Sequence, residues 1–125
     1  MNSMSKKLLI IMANSDPENP EGFAAPLFQA TIAAAMSYEV EVIFTGLSGV
    51  LAVNNNAENV TLNSQNHRTM YDVIKEARNA GVVFKVCTPT LELWGENLIA
   101  EIEEVIGAAY LIKQAMDDNT VTFTY

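Results

Sequence analysis

Near its start the chain reads Leu8-Leu9-Ile10-Ile11-Met12-Ala13, an unbroken run of six apolar residues. Because polar residues do not alternate with the apolar ones, the run is typical of a strand that is covered on both faces, as in a parallel sheet. A signal peptide is the poorer interpretation, since the run is shorter than an h-region and no A-x-A cleavage site follows it. We therefore predict a buried strand of an α/β protein.

Strands and helices alternate along the rest of the chain. Apolar and β-branched segments predict further strands at 40–44, 82–87 and 120–125, and one or two helical turns at 47–53. Helical spacing of apolar residues predicts helices at 23–37, 70–80 and 98–116, the second ended by the glycine Gly81. The asparagine-rich segment 54–66 predicts a loop. This order predicts a mostly parallel sheet with helices on both faces, in a single domain over 1–125.

Composition excludes several classes of protein. Half of the 125 residues are apolar, which predicts a folded core, and the net charge of −8 opposes binding to nucleic acid or to anionic lipid. One Cys and one His exclude an intrachain disulfide and a Cys/His zinc cage made by one chain. No stretch approaches the roughly 20 apolar residues of a membrane span. We therefore expect a cytoplasmic protein in which the lone thiol stays reduced.

Polar groups follow three of the predicted strands at their carboxyl ends, where open α/β sheets bind ligands. They are Asn14, Thr45 and Thr88. Cys87 ends its strand, and Thr88-Pro89 predicts the N-cap and first residue of a short helix whose free N–H groups would stabilise a thiolate or persulfide. The other interpretation is a buried cysteine that acts as a small apolar residue. Trp94 is predicted to be a core or interface anchor that would also shield the thiol from water.

The other polar motifs point to simpler roles. His67 is compatible with a Cys–His pair but also with an exposed residue at a helix entry. Asp16 makes the first strand–helix loop acidic, and the chain has neither GxGxxG nor GxxxxGK[ST], which argues against nucleotide and flavodoxin-type cofactor sites. An acidic cluster beyond Cys87 predicts a solvated, helix-starting face rather than a metal site; its members are Glu92, Glu96, Glu101, Glu103 and Glu104.

The order of these elements, with a cysteine at a strand end, resembles the DsrE/DsrF-like family of sulfur-relay proteins. The matching parts are Lys7-Leu8-Leu9-Ile10-Ile11, a proline-containing loop before an alanine-rich helix, Val42-Ile43-Phe44-Thr45-Gly46-Leu47-Ser48-Gly49-Val50, the helix at 70–81, and the strand ending in Cys87 with Gly95 beyond it. The resemblance implies a three-layer α/β/α fold with a five-stranded parallel sheet and assembly as a trimer or hexamer. It also implies that Cys87 accepts sulfur as a persulfide and hands it to another carrier, often a TusA-like protein.

Two functions of different classes follow. The first is a sulfur carrier or sulfurtransferase that works through Cys87 and needs neither a metal nor an organic cofactor. The second is a non-catalytic oligomeric binding or scaffold protein with a structural Cys87. A homo-oligomer is expected in both cases, because the helix at 23–37 is apolar all round and a chain of this length has little else to cover it, so that its interface would lie around Phe28.

Overall fold

A five-stranded parallel sheet forms the centre of the molecule. The computed structural model describes residues 6–16, 18–63 and 68–125. Its strands are β1 (Lys7–Met12), β2 (Glu39–Phe44), β5 (Val83–Cys87), β6 (Ile102–Ile106) and β7 (Thr120–Thr124). They lie side by side in the order β6-β5-β2-β1-β7, and each neighbouring pair runs parallel. The α/β class and the three layers predicted from the sequence are thereby confirmed.

One face of the sheet carries the large core. It packs against α1 (Pro20–Ala35) and α2 (Met70–Ala80), and in it the rings of Phe44 and Phe84 stack with their centroids 5.7 Å apart. Helix α2 begins with a capping box between Thr69 and Asp72, and the backbone N–H of Thr69 holds the pKa of the Asp72 carboxyl below its ordinary value. The helix ends at Gly81, whose φ of 115° suits glycine. Both ends of α2 are therefore where the sequence predicts them.

The opposite face of the sheet is covered by the short helix α4 (Ala108–Ala115). Side chains alternate between the two faces of a strand, so Leu9, Ile43 and Cys87 point away from the large core. Together with Ile106 they form a second, smaller buried cluster. Among the described residues, the helical side chains that pack on this cluster come from α4, so Cys87 is shielded from solvent on this side by one short helix.

The predicted helix at 98–116 is wrong in its first half, where the chain forms β6 and not a helix. The register between β5 and β6 shifts after the pair Phe84–Ile102, so Ile102 packs toward the large core and Ile106 joins the small cluster. In a regular strand two residues four positions apart point to the same face, and the bulge turns Ile102 and Ile106 to opposite faces, where each joins a core. That spacing imitates a helix in the sequence, and Gly107, which is extended, separates the strand from α4.

Smaller elements connect the layers. A 3₁₀ helix at Gly46–Ala52 confirms the predicted helical turns, and α3 is the six-residue helix Pro89–Trp94. The predicted loop at 54–66 includes a 3₁₀ turn and the short strand β3 (Thr61–Asn63), which pairs antiparallel with β4 (Arg68–Thr69). His67 lies outside the described residues. Within the part of the chain that the structure describes, no helix is both long and apolar enough to cross a membrane.

Candidate functional site

The polar residues predicted at the strand ends meet at one edge of the sheet. Strands β1, β2 and β5 are parallel and in register, with Met12 beside Phe44 and Phe44 beside Val86, so the residues that follow them leave the sheet on the same side. There the backbone N–H of Asn14 donates to the carbonyl of Tyr125 at 3.1 Å, and the N–H of Thr45 donates to Met12 at 2.9 Å. The edge is thus a continuous hydrogen-bonded surface beside the end of β5.

Gly46 fixes the turn that follows β2. Its φ is +55°, and a Cβ at this position would stand 2.7 Å from the carbonyl oxygen of Ala13. The turn therefore needs glycine both for its backbone angle and for the close approach of two strand ends. The indole Nε1 of Trp94 donates to the carbonyl oxygen of Gly46 at 3.0 Å, which ties α3 to this turn.

Cys87 ends β5 in a buried apolar setting. The residue is 5% exposed and lies in the cluster of Leu9, Ile43 and Ile106. Tyr110 and Leu111 of α4 pack on the same cluster. The thiol is therefore covered from the α4 side, whereas Trp94 is bonded to the Gly46 turn.

Thr88 does not cap α3 as the sequence predicts. Helix α3 does begin at Pro89, but the Thr88 side chain makes no capping bond, and its hydroxyl donates to the carbonyl oxygen of Ile106 at 3.0 Å. The backbone N–H of Thr88 donates to the same carbonyl at 2.9 Å. The Thr88 hydroxyl is bonded to the Ile106 carbonyl of β6. Thr88 therefore links the ends of β5 and β6 instead of capping the first turn of α3.

A buried ionic cluster lies under α4 on the same face of the sheet as Cys87. Glu41 is 4% exposed, and its carboxylate accepts bonds from Lys7 at 3.0 Å and from the Tyr110 hydroxyl at 2.8 Å. Lys85 lies 3.4 Å from the same carboxylate and donates to the Tyr110 hydroxyl. Lys7 also donates to Gln114 of α4 at 2.7 Å. Helix α4 is thus held to the sheet by polar contacts as well as by its few apolar ones.

Lys85 keeps its positive charge in this cluster. Burial lowers the pKa of Lys85, but the hydrogen bond with Tyr110 and the charge of Glu41 raise it more, so its pKa lies above the ordinary lysine value. Because Lys85 is two residues before Cys87 in one strand, both side chains leave the same face of the sheet. Lys85 is therefore the residue next to Cys87 on this face of β5, and its ammonium group is paired with the carboxylates of Glu41 and Glu104.

This ionic cluster is not predicted from the sequence, although the sequence shows charged residues within or beside its apolar strand segments. Each of Lys7, Glu41 and Lys85 interrupts or borders an apolar strand segment, and a charged residue inside a buried strand needs a partner. The pairing itself depends on which strands are neighbours. The order β5-β2-β1, with Lys85, Glu41 and Lys7 on one face, is not readable from a single sequence.

The predicted solvated acidic face at a helix start is wrong for Glu101, which is buried, whereas Glu103 and Glu104 are exposed as predicted but lie in β6 and not at the start of a helix. Glu101 is buried and accepts a bond from the Tyr71 hydroxyl at 3.0 Å, Glu103 lies 4.0 Å from Arg78, and Glu104 lies 3.3 Å from Lys85. They lie before or within β6, so each meets a different neighbour. Across residues 6–16, 18–63 and 68–125, no three Asp, Glu, His or Cys side chains converge to hold a metal ion.

Loss of the Tyr110 hydroxyl is expected to expose Cys87 more often. In Tyr110→Phe the helix loses its bonds to Glu41 and Lys85 but keeps its apolar contact, and a bond of about 1 kcal/mol corresponds to roughly fivefold more frequent opening. The measurement is the initial rate of iodoacetamide alkylation of the native protein. Ile112→Ala, on the exposed side of α4, is the control and should alkylate at the original rate. Equal rates for Tyr110→Phe and the original chain would show that this hydroxyl does not restrain the helix.

Comparison with known proteins agrees with this architecture. A conserved protein of unknown function from Bacteroides thetaiotaomicron has a similar structure, with a TM-score of 0.64 and 16% sequence identity over 99% of this chain and 100% of the other. A likeness at this identity shows the fold alone. A search of the curated proteins finds no match. A sequence model of the DsrE/DsrF-like family matches residues 6–123, nearly the whole chain. The parallel sheet, the cysteine that ends β5 and this match agree, and the chain belongs to the DsrE/DsrF-like family.

Proposed function

We propose that the protein carries sulfur as a persulfide on Cys87 and passes it to a partner protein. The observation that carries the proposal is the position of the only thiol, which ends β5 in a chain of the DsrE/DsrF-like family. A cytoplasmic location, where the thiol stays reduced, and a TusA-like acceptor are parts of the same proposal. It requires no metal and no organic cofactor.

The transfer step needs only thiol chemistry. The Cys87 thiolate attacks the outer sulfur of a donor persulfide, a new bond forms between Sγ and that sulfur, and the donor's S–S bond breaks. The donor leaves as a thiolate and takes up the proton that Cys87 released, so no external oxidant or reductant is consumed. Transfer to the acceptor repeats the same exchange with Cys87 as the leaving thiolate.

The surroundings of Cys87 suit a protected persulfide. The apolar neighbours Leu9, Ile43 and Ile106 limit access of water and of small thiols that would remove the outer sulfur. Helix α4, which covers the thiol, would open for the donor and the acceptor.

The test is intact-mass analysis of the protein before and after incubation with polysulfide. We expect a mass gain of one or more sulfur atoms that a reductant reverses, and no gain in protein whose thiol was first alkylated under denaturing conditions and then refolded. An unchanged mass would favour the second candidate, a non-catalytic oligomeric scaffold with a structural cysteine. The burial of Cys87 is the observation that favours that alternative.

Assembly as a homo-oligomer, a trimer or hexamer, belongs to both candidates. The outer face of α1 carries Phe28, Ile32, Ala35 and Met36, all exposed, and the chain has no charged residue from Gly22 to Tyr38. An uncharged helix face of this length is a surface that a second copy can cover.

A charge on that helix face is expected to dissociate the assembly. Light scattering at micromolar concentration should show an oligomer for the original chain and smaller species for Ile32→Glu and Ala35→Glu, since a carboxylate in an apolar interface loses its hydration. Ala24 of the same helix is buried, so a charge at that position would disturb the core instead. Lys75→Glu on the exposed side of α2 is a control that should leave the size unchanged. A monomeric original chain would refute the assembly.

A further inference from the structure

Three large apolar side chains stand exposed at the carboxyl edge of the sheet. They are Leu47, Leu93 and Trp94, with exposed fractions of 40%, 64% and 37%. The Trp94 indole donates to the carbonyl of Gly46, the residue before Leu47, and Leu93 precedes Trp94 in α3, so the three residues belong to two segments that are bonded to each other. We refer to these residues as the Trp94 patch.

The patch lies on the two segments that follow β2 and β5 at the carboxyl edge of the sheet, the 3₁₀ helix Gly46–Ala52 and helix α3. The 3₁₀ helix Gly46–Ala52 and the chain after α3 are joined there by the bond from the Ile99 N–H to Ala52 at 2.8 Å and by that from the Asn54 N–H to Asn97 at 2.7 Å. Thr88 and Pro89, the two residues after Cys87, are exposed at the start of α3. A protein bound to the patch would therefore be next to the end of the strand that carries the thiol.

The surroundings of the patch are acidic. The sequence has no Lys or Arg at 45–63 or at 86–107, and Glu92 and Glu96 are exposed on either side of Leu93 and Trp94. An apolar centre with an acidic rim is complementary to a surface whose apolar centre is surrounded by basic side chains.

A second copy of this chain is a poor match for the patch. A two-fold symmetric contact would bring Glu92 and Glu96 of both copies together, and like charges opposite one another oppose association. Contact with another face of a second copy would require a basic surface, but the basic side chains of this chain are largely committed to carboxylates. Those in ion pairs are Lys7, Arg68, Lys75, Arg78 and Lys85.

We propose that the Trp94 patch docks a foreign protein whose contact surface is apolar at its centre and rimmed by Lys and Arg. The inference rests on the proposed function in one respect, since the docked protein is taken to be the donor or acceptor of sulfur. Leu93 and Trp94 fill the centre of the contact, and the Glu92 and Glu96 carboxylates meet its basic rim. Tryptophan at the centre of an interface often contributes a large share of the binding energy.

Trp94 itself reports on docking, because it is the only tryptophan in the chain. The probe is a synthetic amphipathic helical peptide of leucine and lysine, and the matched probe has glutamate in place of lysine. We expect the lysine peptide to shift Trp94 emission saturably to shorter wavelength, and we expect this binding to weaken as salt is added. An equal response to both peptides, or none to either, would overturn the proposal.

Matched variants locate the contact. Glu92→Lys should bind the lysine peptide roughly fivefold more weakly, as expected for about 1 kcal/mol of charge interaction. Asp118→Lys makes the same change of net charge in the exposed turn before β7, at the opposite edge, and should bind like the original chain. Equal weakening in both would mean attraction to the net charge and would overturn the proposal.

Two further measurements distinguish docking of a foreign protein from self-association and from sulfur chemistry. An emission shift that grows with protein concentration in the absence of peptide would assign the patch to a second copy and overturn the proposal. Cys87→Ala should bind the peptide normally, because docking does not need the thiol. If peptide binding fails while sulfur uptake persists, only the docking inference falls. If uptake fails while binding persists, only the sulfur chemistry falls.

Discussion

Replacement of Cys87 with alanine is expected to abolish the uptake of reducible sulfur. The chain has no other thiol, so a persulfide has no second place to form. Alanine keeps the pocket apolar, and removal of the small sulfur atom from the cluster of Leu9, Ile43 and Ile106 should lower the free energy of unfolding by about 1 kcal/mol. A complete chemical loss with a small loss of stability would assign sulfur uptake to the Cys87 thiol and exclude unfolding as its cause.

Serine is the less suitable replacement, although its size suggests it. Serine is nearly isosteric with cysteine and would be tolerated at an exposed strand end. Cys87 is only 5% exposed, however, and a hydroxyl without a partner in an apolar site costs about 1–3 kcal/mol. The measurement pairs intact mass after polysulfide treatment with urea unfolding of each variant. A sulfur adduct on Cys87→Ala that a reductant removes would refute transfer through Cys87.

Replacement of Glu41 with alanine is expected to lower the free energy of unfolding by about 3–5 kcal/mol, because it leaves two lysines under α4 without their shared counter-ion. Lys7 lies 3.0 Å and Lys85 3.4 Å from the Glu41 carboxylate, and both lysine side chains are largely buried. The Tyr110 hydroxyl loses its acceptor in the same variant. The measurement is urea denaturation followed by circular dichroism.

Glu39 provides a matched control for Glu41. It is in the same strand and pairs with the same Lys7, but at 3.9 Å and with a side chain that is 68% exposed. An exposed pair of this kind contributes about 0–1 kcal/mol, so Glu39→Ala should change stability little. Similar small losses in both variants would mean that the cluster under α4 is hydrated and contributes no buried ion pairs.

The strands of the sheet were predictable where both of their faces are buried. The run from Leu8 to Ala13 can be satisfied only by a covered strand, and the structure has β1 there. Strand β6 was not predictable, because the four-residue spacing of Ile102 and Ile106 fits a helix as well as a strand, and the sequence does not show the bulge that turns them to opposite faces of the sheet. Periodicity identifies which side chains point the same way but not whether a bulge shifts them.

The setting of Cys87 was only partly predictable. Its place at the end of a strand follows from the apolar segment before it, and so does the gathering of Asn14, Thr45 and Thr88 at one edge of a parallel sheet. Its burial depends on α4, and the pairing of the neighbouring Lys85 with Glu41 depends on the order in which the strands pair. These are contacts between residues far apart in the chain, and a single sequence holds no record of them.

The register of β5 has a consequence for the inheritance of the site. Lys85 and Cys87 are on one face of that strand, and Phe84 and Val86 are on the other. An insertion or deletion of one residue within β5 would exchange the two sets, placing the ammonium group against Phe44 and the phenyl ring against Glu41. Such a change would destroy the core, the ionic cluster and the thiol pocket together. Related chains can therefore be expected to vary in length in their loops while keeping the number of residues in this strand unchanged.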